Sequence, residues 1–239
     1  MKSRDSEWRR EVWNPITGCT KISAGCRNCT AERIAKTLRK NGVRKFRRGF
    51  GLMLHPLLLD QPRSWRLRRL VYVGTMTDIF HRRVPREFIQ GMFRVMNETP
   101  QHSYMITTKR PERIARIADK LEWSPNIWLG VTIESADVSS RADILRKIPA
   151  RIRYIYFEPL IGEIADIDLG GIDWALIGGE TGRKSRPMKP EWVAAIRRTA
   201  HDQAVPLFFS QWGSGNSGKE KSRLAKLKKI DINQLKFDF

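Results

Sequence analysis

The sequence predicts an α/β chain folded as a full or partial TIM-like (βα) barrel with a basic C-terminal tail. Three observations carry that expectation. Short apolar, β-branched or aromatic runs alternate with helical patterns along the chain, the signature of parallel strands joined by helices. Polar and ionisable residues collect directly after successive runs, as they do at the mouth of a barrel. Beyond Gly213 the alternation stops. A doubly wound open sheet is the competing arrangement, and the repeated carboxylates behind apolar runs favour the barrel.

Strands are expected over 12–17, 51–54, 70–73, 104–107, 127–132, 153–157, 174–177 and 206–209, each a short run rich in apolar residues. Helices are expected over 30–39, 86–97, 111–121, 139–147 and 189–200. The third opens at Pro111-Glu112 and the last near Pro190-Glu191; proline's missing N–H costs nothing in a first helical turn. The run at Val71 leads to Asp78, the run at Met105 to Lys109, and the run at Leu129 to Glu134. The next two end at Glu158 and, through Gly178 and Gly179, at Glu180. The final run leads to Gln211 and Trp212. Residues 1–213 read as one barrel domain. Residues 214–239 read as a flexible connector and a basic tail over 219–229.

The 239 residues suffice for a substantial core, and 41% hydrophobic content is ordinary for a globular protein. No apolar stretch follows the charged N-terminal residues, and the longest apolar runs are far too short to span a bilayer. A cytoplasmic protein with reduced thiols and no membrane partner is expected. A net charge of +20 points to a polyanionic partner, most commonly nucleic acid, although it also fits a solvated basic surface. The charge is clumped: Arg44, Lys45, Arg47 and Arg48 form one candidate contact group, and Arg66, Arg68 and Arg69 another.

All three cysteines, Cys19, Cys26 and Cys29, fall within eleven residues. Three thiols cannot pair evenly, so a metal is a better reading than a disulfide. Structural zinc usually needs a fourth ligand, for which His55 and His81 are the distant candidates. An iron–sulfur cluster with one iron left open is the other reading. Gly18 and Gly25 allow a tight wrap of the loop. Conventional catalysis has little support, because the chain holds no Gly-x-Ser-x-Gly elbow, phosphate-binding loop or His-Glu-x-x-His.

Larger blocks extend these signals. They are Trp13-Asn-Pro-Ile-Thr-Gly-Cys19 through Cys29-Thr-Ala-Glu-Arg33, Thr77-Asp-Ile-Phe-His81, Thr108-Lys-Arg-Pro-Glu-Arg113 and Trp128-Leu-Gly-Val131. Glu158-Pro-Leu-Ile-Gly162, Gly178-Gly-Glu-Thr-Gly182, Arg186-Pro-Met188 and Phe208-Phe-Ser-Gln-Trp-Gly213 continue the series, so the matched blocks run in order over roughly residues 8–213. Together they resemble the three-cysteine-motif phage protein family of phages and bacteria. The resemblance implies a barrel of the radical S-adenosylmethionine (SAM) type, with a [4Fe–4S] cluster on Cys19, Cys26 and Cys29 and SAM on the open iron. It implies a radical enzyme that generates a 5′-deoxyadenosyl radical and draws on an electron donor. Members carry tyrosine after the third cysteine where this chain has Thr30, and the C-x6-C-x2-C spacing is longer than the usual radical SAM motif.

Within that expectation Lys109 is the candidate clamp for the SAM carboxylate. Asp78, Glu134 and Glu158 are candidates for SAM contacts, and Gly178-Gly179-Glu180 for the SAM amino group. The expected substrate is a nucleic acid or nucleotide. Two other readings are a nucleic-acid-binding protein with a structural metal and no turnover, and a subunit docking an acidic protein, such as the partner named for the same cysteine motif.

Overall fold

The computed structural model describes residues 9–215, and the expected basic tail lies outside the described residues. Seven strands form one parallel sheet: β1 (Arg9–Trp13), β4 (Arg69–Val73), β5 (Ser103–Thr108), β6 (Ile127–Thr132), β7 (Ile152–Phe157), β8 (Trp174–Gly178) and β9 (Leu207–Gln211). Their order in the sheet is their order in the chain. A doubly wound sheet would reverse direction part-way; this one never does. β1 and β9 are the two edges and do not pair, so the curled sheet is a half-barrel and not a closed one.

Among the described residues five α-helices accompany the strands: α1 (Thr30–Lys40), α2 (Arg86–Glu98), α3 (Pro111–Ala115), α4 (Arg141–Arg146) and α5 (Pro190–Asp202). Pro111 and Pro190 occupy first-turn positions as the sequence predicts. The expected helix over 111–121 breaks: α3 ends at Ala115, Ile117 leaves helical geometry, and a separate 3-10 turn covers Ala118–Lys120. Trp123 donates its indole N–H to the Ala118 carbonyl at 3.1 Å, which fixes that turn.

The expected strand over 12–17 divides at Pro15, which has no N–H to give to a ladder. Residues up to Trp13 join the main sheet as β1, whereas β2 (Ile16–Thr17) pairs antiparallel with β3 (Met53–Leu54). This two-stranded ribbon brackets a long excursion, 18–52, that holds the cysteines, α1 and the basic stretch around Arg44. The remaining expected strands fall within a few residues of those observed.

Side-chain alternation along the strands builds two cores. Val71, Ile106, Leu129, Ile155 and Ile177 face the helices and pack with Ile89, Phe93, Ile114, Leu145 and Ile196. Leu70, Met105, Trp128, Tyr154, Trp174, Leu176 and Phe208 face the opposite, inner side. Burial on both faces is what a parallel sheet demands. The inner layer is aromatic: Tyr154 stacks on Trp174 with ring centroids 4.4 Å apart and planes 8° from parallel. Gly130 makes room for this stack, because a Cβ there would lie 2.0 Å from the Tyr154 ring.

Candidate active site

The cysteine loop sits over the C-terminal ends of the strands, where side chains leave the sheet. Its entry is fixed by backbone bonds: Gly18 N–H donates to the Met76 carbonyl (2.9 Å) and Cys19 N–H to the Phe50 carbonyl (3.1 Å). Gly18 has a φ of +85°, and a Cβ would lie 2.3 Å from the Gly51 carbonyl oxygen, so glycine is required there on both counts. Thr77 closes the entry by donating its hydroxyl to the Gly18 carbonyl at 2.6 Å.

Two side chains hold Thr20. Arg110 donates to its carbonyl (2.9 Å) and its hydroxyl (3.0 Å). His81 Nδ1 accepts the Arg83 N–H (3.2 Å), so its other nitrogen carries hydrogen and donates to the Thr20 hydroxyl (2.9 Å). Burial first, then the Arg110 charge, lowers the His81 pKa and keeps this ring neutral.

The middle and end of the loop rest on two buried carboxylates. Glu134, just beyond β6, accepts the Gly25 N–H at 3.2 Å and pairs with Arg141 at 2.8 Å. A Cβ on Gly25 would lie 2.9 Å from the Glu134 carboxylate, so glycine permits this docking. Burial pushes the Glu134 carboxyl up, but the Ser23 hydroxyl, the Arg141 and Lys109 charges and the Gly25 N–H outweigh it, leaving the pKa below its ordinary value. Glu180, beyond β8, accepts from Asn28 at 2.8 Å and from the Arg186 N–H and Nε, each at 2.9 Å. Arg186 reaches on to the Ala24 carbonyl at 3.0 Å. Burial opposes ionisation of Glu180 too, and its Arg186 and Asn28 bonds again bring the pKa below the ordinary carboxylate value.

A cavity of about 260 Å³ opens beneath this loop. Cys19, Cys26 and Cys29 all line it, together with Phe50, Tyr72, Met105 and Lys109. None of the three forms a disulfide. Burial and the Asp78 charge raise the Cys19 thiol, with Arg110 only partly offsetting them. Burial also pushes Cys26 up, but bonding from Ile22 and Ser23 and the Lys109 charge carry its pKa below the ordinary value. Lys109 is the cation these groups share: its charge also acts on Glu134 and Glu158. Its ammonium makes no ion pair with a described residue, so the cavity holds a positive group ready for an anion.

The other expected site residues have specific places. Asp78 lines the cavity, but its carboxylate is occupied by the Thr108 hydroxyl (2.8 and 3.0 Å) and the Phe80 and Lys109 N–H groups (3.0 Å each). It sets the backbone from which Lys109 projects. Glu158 accepts from Gln211 at 2.9 Å, and burial raises its pKa despite Gln211 and Lys109. Gly178 leaves space for that carboxylate, since a Cβ would lie 2.4 Å from it; Gly179 passes under the Trp212 carbonyl. Glu134, Glu158, Gly178, Gly179 and Glu180 thus surround the loop and mouth, while Asp78 and Lys109 line the cavity itself.

Whether the donor set fits a metal group depends on its size. Ligands of a single tetrahedral zinc ion have sulfurs about 4 Å apart, and among the described residues no three His, Cys, Asp or Glu side chains meet closely enough to hold one ion. His81 is committed to Thr20, and His55 to the Thr17 hydroxyl at 2.8 Å. The three thiols line one cavity, and neither His55 nor His81 is turned to them as a fourth ligand.

A protein-family model fits residues 3–235. The chain belongs to the DUF5131 family. That family is described as proteins of unknown function, and no curated protein and no solved structure matches the chain. The DUF5131 match extends past residue 213 into the basic tail, further than the sequence blocks at 8–213. In this DUF5131 protein the two expected basic groups do not form one surface. Arg44, Lys45, Arg47 and Arg48 belong to the excursion above the mouth, next to Phe50. Arg66, Arg68 and Arg69 lie at the opposite, N-terminal end of β4, where Arg69 pairs with Glu11 at 2.8 Å and packs over Trp65. No helix among the described residues is long and apolar enough to cross a membrane.

The arginines that hold the loop differ in how far the sequence marks them. Arg141 was invisible because its partner lies across a turn, with no pattern to mark a buried cation. Arg110 and Arg186 stand inside conspicuous blocks, and that placement was their signal.

Proposed function

We propose that this protein is an iron–sulfur enzyme of the radical SAM type acting on a nucleic acid or nucleotide. One observation carries the reading: the chain's three thiols line a single cavity at the strand-end mouth of a parallel half-barrel, facing an unpaired lysine. Cys19, Cys26 and Cys29 would hold a [4Fe–4S] cluster, and Lys109 would take the carboxylate of SAM. When bound, that pair supplies one-electron cleavage of the sulfonium to give a 5′-deoxyadenosyl radical for hydrogen abstraction.

The protein's own work is placement. Glu134 and Glu180 anchor the loop at Gly25 and Asn28, so the thiols keep their positions while the cavity fills. Asp78 fixes the backbone of Lys109. Phe50 and Tyr72 offer aromatic faces in the cavity against which an adenine or a substrate base can pack.

Anaerobic reconstitution tests this directly. The expected product is brown protein with about four irons and four sulfides per chain, lost in each of Cys19→Ala, Cys26→Ala and Cys29→Ala. Colourless protein that takes up a single zinc would contradict the reading and leave a metal-stapled binding protein.

A further inference from the structure

Beside the cavity runs a second depression, a groove of about 440 Å³ between α1 and the loop beyond β8. Arg27, Arg33, Lys36, Lys40, Arg183 and Lys184 border it, with Lys21 at its side. Glu32 is its one carboxylate, and Lys21 (3.1 Å) and Lys36 (2.6 Å) already share that group. The other five cations, among them Arg33, Lys40 and Arg183, make no ion pair with a described residue. Like charges gathered without counter-charge repel one another, and an anion bound among them relieves that cost.

The spacing suits a linear anion. Arg33, Lys36 and Lys40 stand three and four residues apart on one face of α1, so they extend over roughly 10 Å at 1.5 Å per residue. The lining contains no leucine, isoleucine, valine, methionine or aromatic side chain. A protein partner normally seats such a side chain at the centre of its interface, so this groove is built for charge and not for a protein. Without a ring to stack on, its contacts go to phosphates and not to bases. A base reaches an enclosed cavity only when it is unpaired, so a single strand is the form this groove would deliver. Cys29 lines both groove and cavity, so the two depressions share a wall.

We propose that this groove binds the phosphate backbone of a single-stranded nucleic acid and delivers it past Cys29 to the cavity. The inference names the substrate class for the active site proposed above and rests on that reading for its purpose, whereas the binding itself needs no iron. It places the contact on α1 and the 181–184 loop, apart from Arg44–48 and from Arg66–69.

The test is fluorescence anisotropy of a labelled single-stranded oligothymidylate with the full chain across a salt series. The wild type is expected to bind, with affinity falling as salt rises. Arg33→Ala/Lys40→Ala/Arg183→Ala should bind at least about tenfold more weakly at low salt. Its log–log salt slope should be shallower by about 2, given ~0.7 per single-strand phosphate contact. Wild-type protein prepared without iron should bind with the same affinity; a wild type that binds the oligonucleotide but takes up no iron on anaerobic reconstitution would sink the enzyme reading and leave the groove standing. An unchanged affinity and slope in the arginine–lysine triple variant would overturn the proposal. So would loss confined to Arg44→Ala/Arg47→Ala/Arg48→Ala, or a wild type that binds polyaspartate and no oligonucleotide.

Discussion

Glu134 shows how one carboxylate at a strand end acquires a job that sequence does not announce. Its side chain and that of Arg141 are almost wholly buried, at 1% and 6% exposure, so neither charge has water to fall back on. Removing one partner of such a pair strands the other, at a cost of about 3–5 kcal/mol. Arg141→Ala is therefore expected to lower the stability at pH 7 by about that amount, measured by urea denaturation. The pH dependence has a definite sign. Because the folded Glu134 carboxyl lies below its ordinary 4.5, the pair's contribution is complete above that pH and is lost as pH falls through the lower folded value. The gap between wild type and Arg141→Ala should accordingly narrow below pH 4.5. A gap that stays constant to acid would show that packing, and not charge, carries the effect. The carboxylate's position was legible, since it follows an apolar run directly. Its partner was not, because burial of an arginine leaves no mark in local sequence.

At the scale of elements, the sheet was the most legible part of the chain and the excursion above it the least. A strand such as 127–132 advertises itself by a nearly continuous apolar run, because a parallel strand is buried on both faces. Pro15 broke the first strand for a local reason that is also written in the sequence, but only pairing decided that its second half would join Met53–Leu54. The inner aromatic layer depends on relationships between strands. Gly130 lies opposite Tyr154 in register, and its missing side chain is what lets that ring stack on Trp174. Gly130→Ala is expected to force the fully buried ring aside and to cost about 1–3 kcal/mol as overpacking. Thermal denaturation together with near-ultraviolet circular dichroism checks this: a lowered melting temperature with altered aromatic signal is the expected result. An unchanged melting temperature would mean that the layer yields without strain.

The whole molecule joins an unclosed parallel sheet, a mouth lined by the only three cysteines, and a net charge of +20 over the full sequence. The loop's anchors come from several strand ends, namely Thr77 beyond β4, Arg110 beyond β5, Glu134 beyond β6 and Glu180 beyond β8, so the sheet and the candidate site form one construction. Charge alone pointed to nucleic acid, but it could not say which of several basic runs shared a surface. Only folding separated the 66–69 group from the mouth and brought Arg183 and Lys184 beside α1. The central claim is that the three thiols hold a cluster with an open iron. It is tested most directly by electron paramagnetic resonance of anaerobically reconstituted, dithionite-reduced protein with and without SAM. A reduced [4Fe–4S] signal that changes when SAM is added is the predicted result. A cluster signal indifferent to SAM, or no iron signal at all, would contradict it.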